Sequence, residues 1–385
     1  MIRIAYLVND IAYGGAAKSL YYLLRKFDPD KYQIVLYTTR ISSHPFAEEF
    51  AKVVSQINVV SLPQLYSFGR DGRNTSSFRA RSLISKSVGK IDDFIEELAR
   101  ERIDLLHINT TVFAYLPPYI KTRLAIPIVI HVRELLQRSV DYTFKLMVKG
   151  INEADRIICI TDNELIASIN IEKSIVLPNP LDETNKISLS DGSSIGMLGT
   201  FSKTKGIDVF LKTVYEVHKA DPTFPYNFIL VTSYAKRSYF KLIIKSILRG
   251  NYYQLYIKYL IDIYRLNGKV IIIPNMREID MFYDKLAIYL RVKNPWGRDI
   301  IETMNRGIPI VAGGNSDYFV KNNETGYLVR DSDPKIIAQK IISLAYDSER
   351  RRLFSENSHR LITHMCDPNA YAAKIEAIYN ELYRQ

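Results

Sequence analysis

Short apolar runs alternate with amphipathic segments from one end of the chain to the other. In the first half the runs Arg3–Val8, Gln33–Thr38, Ile57–Leu62, Asp104–Ile108, Ile126–His131, Arg156–Ile160 and Ser174–Leu177 read as strands. Between them lie helical patterns such as Ala16–Phe27 and Ile91–Arg102. The second half repeats the theme. Strands read at Ser194–Leu198, Asn227–Thr232, Lys269–Ile273, Ala287–Arg291, Ile308–Ala312 and Tyr327–Val329, and helices at Gly206–Lys219, Ile279–Tyr283, Ile300–Asn305 and Pro334–Ala345. Near-continuous apolar strands alternating with helices indicate parallel sheets covered on both faces. Two such sets predict an α/β chain of two Rossmann-like, doubly wound domains.

The break between the sets is Leu177-Pro-Asn-Pro-Leu-Asp182. Two prolines around Asn179 cannot sit inside a helix or a central strand. The expected domains are therefore 1–178 and 179–365. A polar break at Cys366-Asp-Pro-Asn369 precedes a last helix, Ala370–Tyr383, within a segment 366–385 that is free to cross back to the N-terminal domain.

Length and composition fit this picture. The chain has 385 residues, 47% of them hydrophobic and 24% charged, enough for two cores of ordinary soluble type. Two cysteines far apart exclude a disulfide framework and fit a reducing compartment. The N-terminal run turns polar too soon for a signal peptide, and no stretch approaches a membrane span. These features predict a cytoplasmic protein. The net charge of +11 is concentrated: 66–90 and 234–261 carry +5 and +6, which accounts for the whole excess. Such segments suit a polyanion: an anionic lipid-linked substrate, nucleic acid, or an anionic membrane surface, the last of which would make the protein peripheral at the inner face of a membrane. No nucleic-acid-binding motif accompanies them.

Three constellations could carry chemistry. Asn9-Asp-Ile-Ala-Tyr-Gly14-Gly15 follows the first strand and opens the first helix. Paired glycines admit a ligand close to the backbone, and the helix start offers free N–H groups to an anion. The spacing is not that of a dinucleotide fingerprint, and the second strand ends Leu36-Tyr-Thr-Thr-Arg40 without the acid that would hold a ribose. Gly199-Thr-Phe-Ser-Lys203-Thr-Lys205-Gly206 puts two lysines at a strand end beside a helix start, where a diphosphate would sit. Lys293-Asn-Pro-Trp-Gly-Arg-Asp-Ile-Ile-Glu302 contains the only tryptophan and leads into a helix whose first turns hold Glu302. A carboxylate can accept two hydrogen bonds from a diol. Read alone, each has a plain structural explanation: an ordinary turn, solvated lysines, a first-turn acid.

Taken in order, these motifs resemble the family 4 retaining glycosyltransferases. The resemblance also rests on Leu-Pro-Asn-Pro at the boundary and on Glu324-Thr-Gly-Tyr-Leu-Val329. It is strongest over Pro295–Val311. It implies the GT-B architecture, two Rossmann-like domains facing a cleft. It also implies transfer of a sugar from a nucleotide-diphosphate sugar to a glycan or lipid-linked acceptor in surface polysaccharide or glycoconjugate synthesis. No cofactor and no metal are implied. On this resemblance Glu302 binds the ribose, Lys205 binds the diphosphate and serves catalysis, and Trp296, Gly297, Arg298 and Asp299 bind the transferred sugar through their backbone. Gly14 and Gly15 close over donor and acceptor.

This sequence departs from the family at three places. Asn294 stands where the first Glu of Glu-x7-Glu is usual; it can bond a sugar hydroxyl but adds no negative charge. Thr200 stands in place of an arginine, with Lys203 near enough in sequence to substitute. Asn109 stands in place of a histidine, and His107 and His131 are the other catalytic candidates nearby. These departures keep open a non-catalytic sugar-nucleotide-binding or partner subunit. The connection between Val231 and Lys269 is longer than usual for the family. Lys241, Lys245 and Arg249 recur within it every four residues among aromatic and aliphatic side chains, a pattern suited to an anionic membrane face or to an extra packed helix.

Overall fold

The computed structural model describes residues 1–384 apart from 12–13, 42–44, 69–73, 137–138, 182–191, 234–237, 241, 244–246, 248–251, 275–278 and 295–296. The chain divides into two compact units, Met1–Glu183 with Cys366–Gln385, and Thr184–Met365. The division in the linker thus falls at 183/184 rather than 178/179.

Unit 1 is built on seven parallel strands: β1 (Ile2–Val8), β2 (Tyr32–Thr38), β3 (Gln56–Val59), β4 (Leu105–Ile108), β5 (Ile128–Val132), β6 (Arg156–Cys159) and β7 (Ser174–Val176), in the order β3-β2-β1-β4-β5-β6-β7. Strand side chains alternate between faces. Ala5 and Leu7 of β1 therefore enter one core, with α3 (Ser77–Ser85), α4 (Val88–Arg100) and α6 (Tyr142–Glu153). Ile4, Tyr6 and Val8 enter the opposite core with α1 (Gly15–Leu24). Two short helices, α2 (Phe46–Ala51) and α5 (Pro117–Lys121), complete the connections.

Unit 2 carries six parallel strands: β8 (Ser194–Leu198), β9 (Asn227–Val231), β10 (Val270–Ile273), β11 (Leu286–Arg291), β12 (Ile310–Gly313) and β13 (Gly326–Val329), in the order β10-β9-β8-β11-β12-β13. Its helices are α7 (Ile207–Ala220), α8 (Tyr253–Ile263), α9 (Asp280–Tyr283), α10 (Arg298–Asn305), α11 (Pro334–Tyr346) and α12 (Ser348–Met365). In both sheets the order reverses next to the first strand, at β1/β4 and at β8/β11. Doubly wound sheets bind ligands outside the carboxyl ends of the strands at such a point. No described helix is long and apolar enough to cross a membrane.

The last helix, α13 (Pro368–Tyr383), belongs to unit 1. Asp367 caps it by accepting from the Ala370 N–H at 2.6 Å, and Pro368 fits the first turn, where its missing N–H costs nothing. Tyr371, Ala372, Ile375, Ile378, Tyr379 and Leu382 recur at helical spacing and are buried against the β1 face beside α1. The Tyr379 hydroxyl meets the Tyr6 hydroxyl and lies 2.5 Å from His107 Nδ1.

Ile375→Ala should therefore destabilise unit 1 by about 2–5 kcal/mol, the cost of truncating a buried aliphatic side chain. Urea unfolding followed by tyrosine fluorescence checks this, and an unchanged midpoint would mean that α13 is not part of that core.

Candidate functional site

In unit 2 the candidate residues gather at the carboxyl ends of β8 and β11, on either side of the strand-order reversal. β8 ends at Leu198, and a single 3-10 turn, Lys203–Lys205, leads to Gly206 and α7. Gly206 has φ +73°, and a Cβ there would come within 2.7 Å of Val292, so this close approach of the two loops requires glycine. Lys203 is exposed. Lys205 is recessed, and its ammonium is pushed down to about 8, first by burial and then by Arg291, while Asp299 opposes the shift.

Arg291 is the charge that the sequence reading missed. It ends the apolar strand β11 and is 2% exposed. It donates to Asp299 Oδ2 at 2.8 Å and to the carbonyl of Asn294 at 3.2 Å. Tyr289 donates to the same Asp299 oxygen at 2.5 Å. A lone charged residue closing an otherwise apolar run, Leu-Ala-Ile-Tyr-Leu-Arg, was the available signal. Lys203 was named as the second cation on sequence distance; the cation whose field reaches Lys205 is Arg291. The Asp299 carboxylate is committed to this internal anchor, which leaves its backbone as the part able to meet a ligand.

α10 starts at Arg298 after Gly297, so free N–H groups point out of its first turn. Glu302 sits one turn in. Its Oε1 accepts from Arg298 Nε at 3.1 Å and its Oε2 from the Tyr283 hydroxyl at 3.3 Å. Both contacts fix the carboxylate's direction. Asn294 is exposed with φ +54°, the left-handed region that asparagine tolerates better than glutamate does. Its amide donates to the Thr204 carbonyl at 3.5 Å. Trp296 lies outside the described residues.

In unit 1, Gly14 caps α1 and Gly15 begins it; both are exposed at the carboxyl end of β1. Asn109, just past β4, is 3% exposed, and its Oδ1 accepts from Arg133 Nε at 3.1 Å and Nη2 at 2.9 Å. Arg133 also donates to Asn179 of the boundary segment and lies 3.2 Å from His131 Nδ1. A carboxyl-edge network of Asn109, Arg133 and Asn179 thus exists, of which the sequence reading named only Asn109.

His107 and His131 require correction as catalytic candidates. Both are fully buried with stacked rings 5.7 Å apart, and His107 also stacks on Tyr6 at 4.8 Å. Their strand positions turn them into the α13-side core, away from solvent. Burial, and next to it the Arg133 charge, hold both well below the ordinary histidine range. The native state keeps them neutral while the unfolded chain protonates near 6.5, so the unfolded state binds more protons below that pH.

Of the two basic segments, Arg79, Arg81, Lys86 and Lys90 are exposed on and beside α3 and α4. Arg70 and Arg73, like Lys236, Arg237, Lys241, Lys245 and Arg249, lie outside the described residues; Lys258 lies on α8.

The model for "Glycosyl transferases group 1" matches residues 182–361, and that for "Glycosyltransferase Family 4" matches residues 13–184. The capsular polysaccharide biosynthesis glycosyltransferase CapM of Staphylococcus aureus is 23% identical over 221 residues. That match spans 56% of this chain and 53%, about half, of CapM. Among solved structures, Anabaena HepE in complex with UDP and glucose superposes with a TM-score of 0.77 at 16% identity, covering 99% of this chain and all of HepE. Sucrose-phosphate synthase of Thermosynechococcus elongatus gives 0.73 at 16%, with full coverage of both chains. A Staphylococcus aureus TarM mutant in complex with UDP, Fondaparinux and alpha-GlcNAc-glycerol gives 0.71 at 12%, again with full coverage. These likenesses establish the GT-B fold.

Two outcomes are expected. Stability should fall below about pH 6.5 by up to about 1.4 kcal/mol per pH unit for each buried histidine. His131→Gln should remove one such contribution, read as a shallower dependence of urea midpoints on pH. For Lys205, a diphosphate-containing ligand should bind up to about tenfold more weakly per pH unit above 8, because the apo lysine loses its proton as pH rises through that value. Calorimetry should show proton uptake on binding there, and Lys205→Ala should abolish both effects.

Proposed function

We propose that this chain, which belongs to the family 4 glycosyltransferases, moves a sugar from a nucleotide-diphosphate sugar to a glycan or lipid-linked acceptor with retention of anomeric configuration. The observation that carries the reading is the arrangement around the β8/β11 reversal. A recessed lysine and a buried arginine stand at one end, and an oriented carboxylate on the first turns of α10 stands at the other. The cations suit a diphosphate, and the carboxylate suits a ribose diol.

In this reaction the acceptor hydroxyl forms the new bond to the anomeric carbon while the bond to the diphosphate oxygen breaks. The hydroxyl proton passes to the departing diphosphate on the same face. Negative charge grows on that leaving group. Lys205, with Lys203 beside it in sequence, stabilises it more in the transition state than in the ground state. The α10 N–H groups from Gly297 onward hold the transferred sugar, and Asn294 offers an amide to one of its hydroxyls. Gly14 and Gly15 supply the backbone for the acceptor side. Lys205 supplies positive charge at the place where a metal ion would otherwise bring it, which supports a metal-independent reaction without a cofactor. CapM's part in capsular polysaccharide biosynthesis supports an acceptor in surface polysaccharide synthesis, and the UDP held by HepE makes UDP-sugars the first donors to test. The basic segments support work at an anionic membrane surface from the cytoplasmic side.

The test is incubation of the full chain with a panel of UDP-sugars and candidate glycan acceptors, with product configuration read by proton NMR. Inverted product removes the retaining mechanism. Donor binding without turnover of any acceptor would favour the non-catalytic subunit. Glu302→Ala should weaken nucleotide-sugar binding by about 2–3 kcal/mol by calorimetry, through loss of charge-assisted hydrogen bonds. Unchanged affinity would take Glu302 out of the site.

A further inference from the structure

Helix α8 lies on the surface of unit 2, and its polar residues, Gln254, Lys258 and Asp262, recur every four residues on one face only. One side, Ile257, Leu260 and Ile261, is buried with α7 in the unit's core. The opposite side presents Tyr252, Tyr256, Tyr259 and Ile263, which are 57%, 38%, 50% and 53% exposed. Their spacing of four, three and four residues makes one continuous stripe. The helical residues before α8 do the same: Phe240 is 73% exposed, Ile243 44% and Ile247 67%, while Leu242 is buried. With Tyr239, eight of the 22 exposed large hydrophobic side chains among the described residues fall between 239 and 263. An outward stripe of this size marks an interaction surface, because an ordinary surface helix carries polar residues there.

The segment is held in place from beneath. Tyr253 donates to Asp208 of α7 at 2.9 Å, and Tyr239 donates to Asp262 at 2.7 Å. The ammonium of Lys258 lies 4.5 Å from the centre of the Tyr239 ring, and that of Lys212 lies 5.8 Å from Tyr256. In sequence, 234–261 holds six basic residues and no acid, and Arg265 and Lys269 follow, both exposed. Tyrosine, phenylalanine and isoleucine beside lysine and arginine match the layered chemistry of an anionic bilayer interface. In sequence, 239–263 holds four basic residues, Lys241, Lys245, Arg249 and Lys258, against one acid, Asp262, so two copies of this segment would oppose like net charge, which disfavours self-association.

We propose that the 239–263 face docks unit 2 on an anionic lipid bilayer, with the tyrosine and isoleucine stripe entering the headgroup layer. This deepens the transferase reading and rests on it in one respect, since it favours a lipid-linked acceptor over a free glycan.

The test is flotation of the full chain with vesicles of phosphatidylcholine alone or mixed equally with phosphatidylglycerol. Binding is expected to the mixed vesicles, weakening steeply with salt, and not to phosphatidylcholine alone. The combined variant F240S/I247S/Y252S/Y259S should lose about a hundredfold in partitioning while keeping its affinity for UDP-sugar. If that variant fails to fold, Phe240→Ser alone should lose about tenfold. Absence of binding to the mixed vesicles, equal binding to both vesicle types, or unchanged partitioning of a folded variant overturns the proposal. So does a wild-type dimer that the variant converts to a monomer in sedimentation. A chain that binds mixed vesicles but no nucleotide sugar would refute the transferase reading and leave the lipid face standing.

Discussion

A parallel sheet has to be covered on both faces, because its crossovers place helices on each side and its strands are apolar throughout. In unit 1 this constraint reaches the end of the chain. β1 sends Ala5 and Leu7 to one core and Ile4 and Tyr6 to the other. The second core draws on α13 as well as α1. The polypeptide therefore leaves unit 2 after Met365 and completes unit 1 with its last residues. The buried Tyr6–Tyr379–His107 contacts show how specific that seat is. The Tyr6 and Tyr379 hydroxyls and His107 Nδ1 are partnered within this cluster.

The same topology places the candidate chemistry. Order reversal at β8/β11 opens a gap at the carboxyl ends of two adjacent strands, and the loops that follow carry Lys205 and Asn294. What fixes those loops is the buried Arg291–Asp299 pair with the Tyr289 hydroxyl. Taking two charges out of water is costly, and the attraction between them repays that cost only with good geometry and extra hydrogen bonds. Here the geometry serves position more than stability. Arg291 also holds the Asn294 carbonyl, and its field helps to keep the Lys205 ammonium poised near 8. One residue thus links the strand end, the left-handed loop and the phosphate-side lysine.

The departures from the family pattern take on physical meaning in this setting. Asn294 occupies a backbone conformation with positive φ, where asparagine is a favourable choice, so its presence has a conformational reason independent of sugar recognition. Asn109 is tied to Arg133 and through it to Asn179, so the position holds a carboxyl-edge network together in place of a free imidazole. Near Thr200's strand end the buried charge is Arg291, which arrives from a different strand and is paired with Asp299.

The sequence by itself determined the fold class, the strands and the break between the two units. Apolar runs of strand length, amphipathic intervals and a Pro-Asn-Pro break are local signals, and local pattern decides such features. It also singled out Lys205, Gly297 and Glu302 as candidates, because each stands in a contiguous run that joins a strand end to a helix start. Tertiary structure alone decided the fate of His107 and His131, whose direction from the strand depends on which face α13 covers. It alone disclosed Arg291, whose partners are set by loop geometry after β11. It alone turned the tyrosines of α8 outward, because a helix with so wide an apolar surface does not announce which part of it its neighbours will leave uncovered. In each case the deciding quantity is burial by segments distant in sequence, and no local pattern contains it.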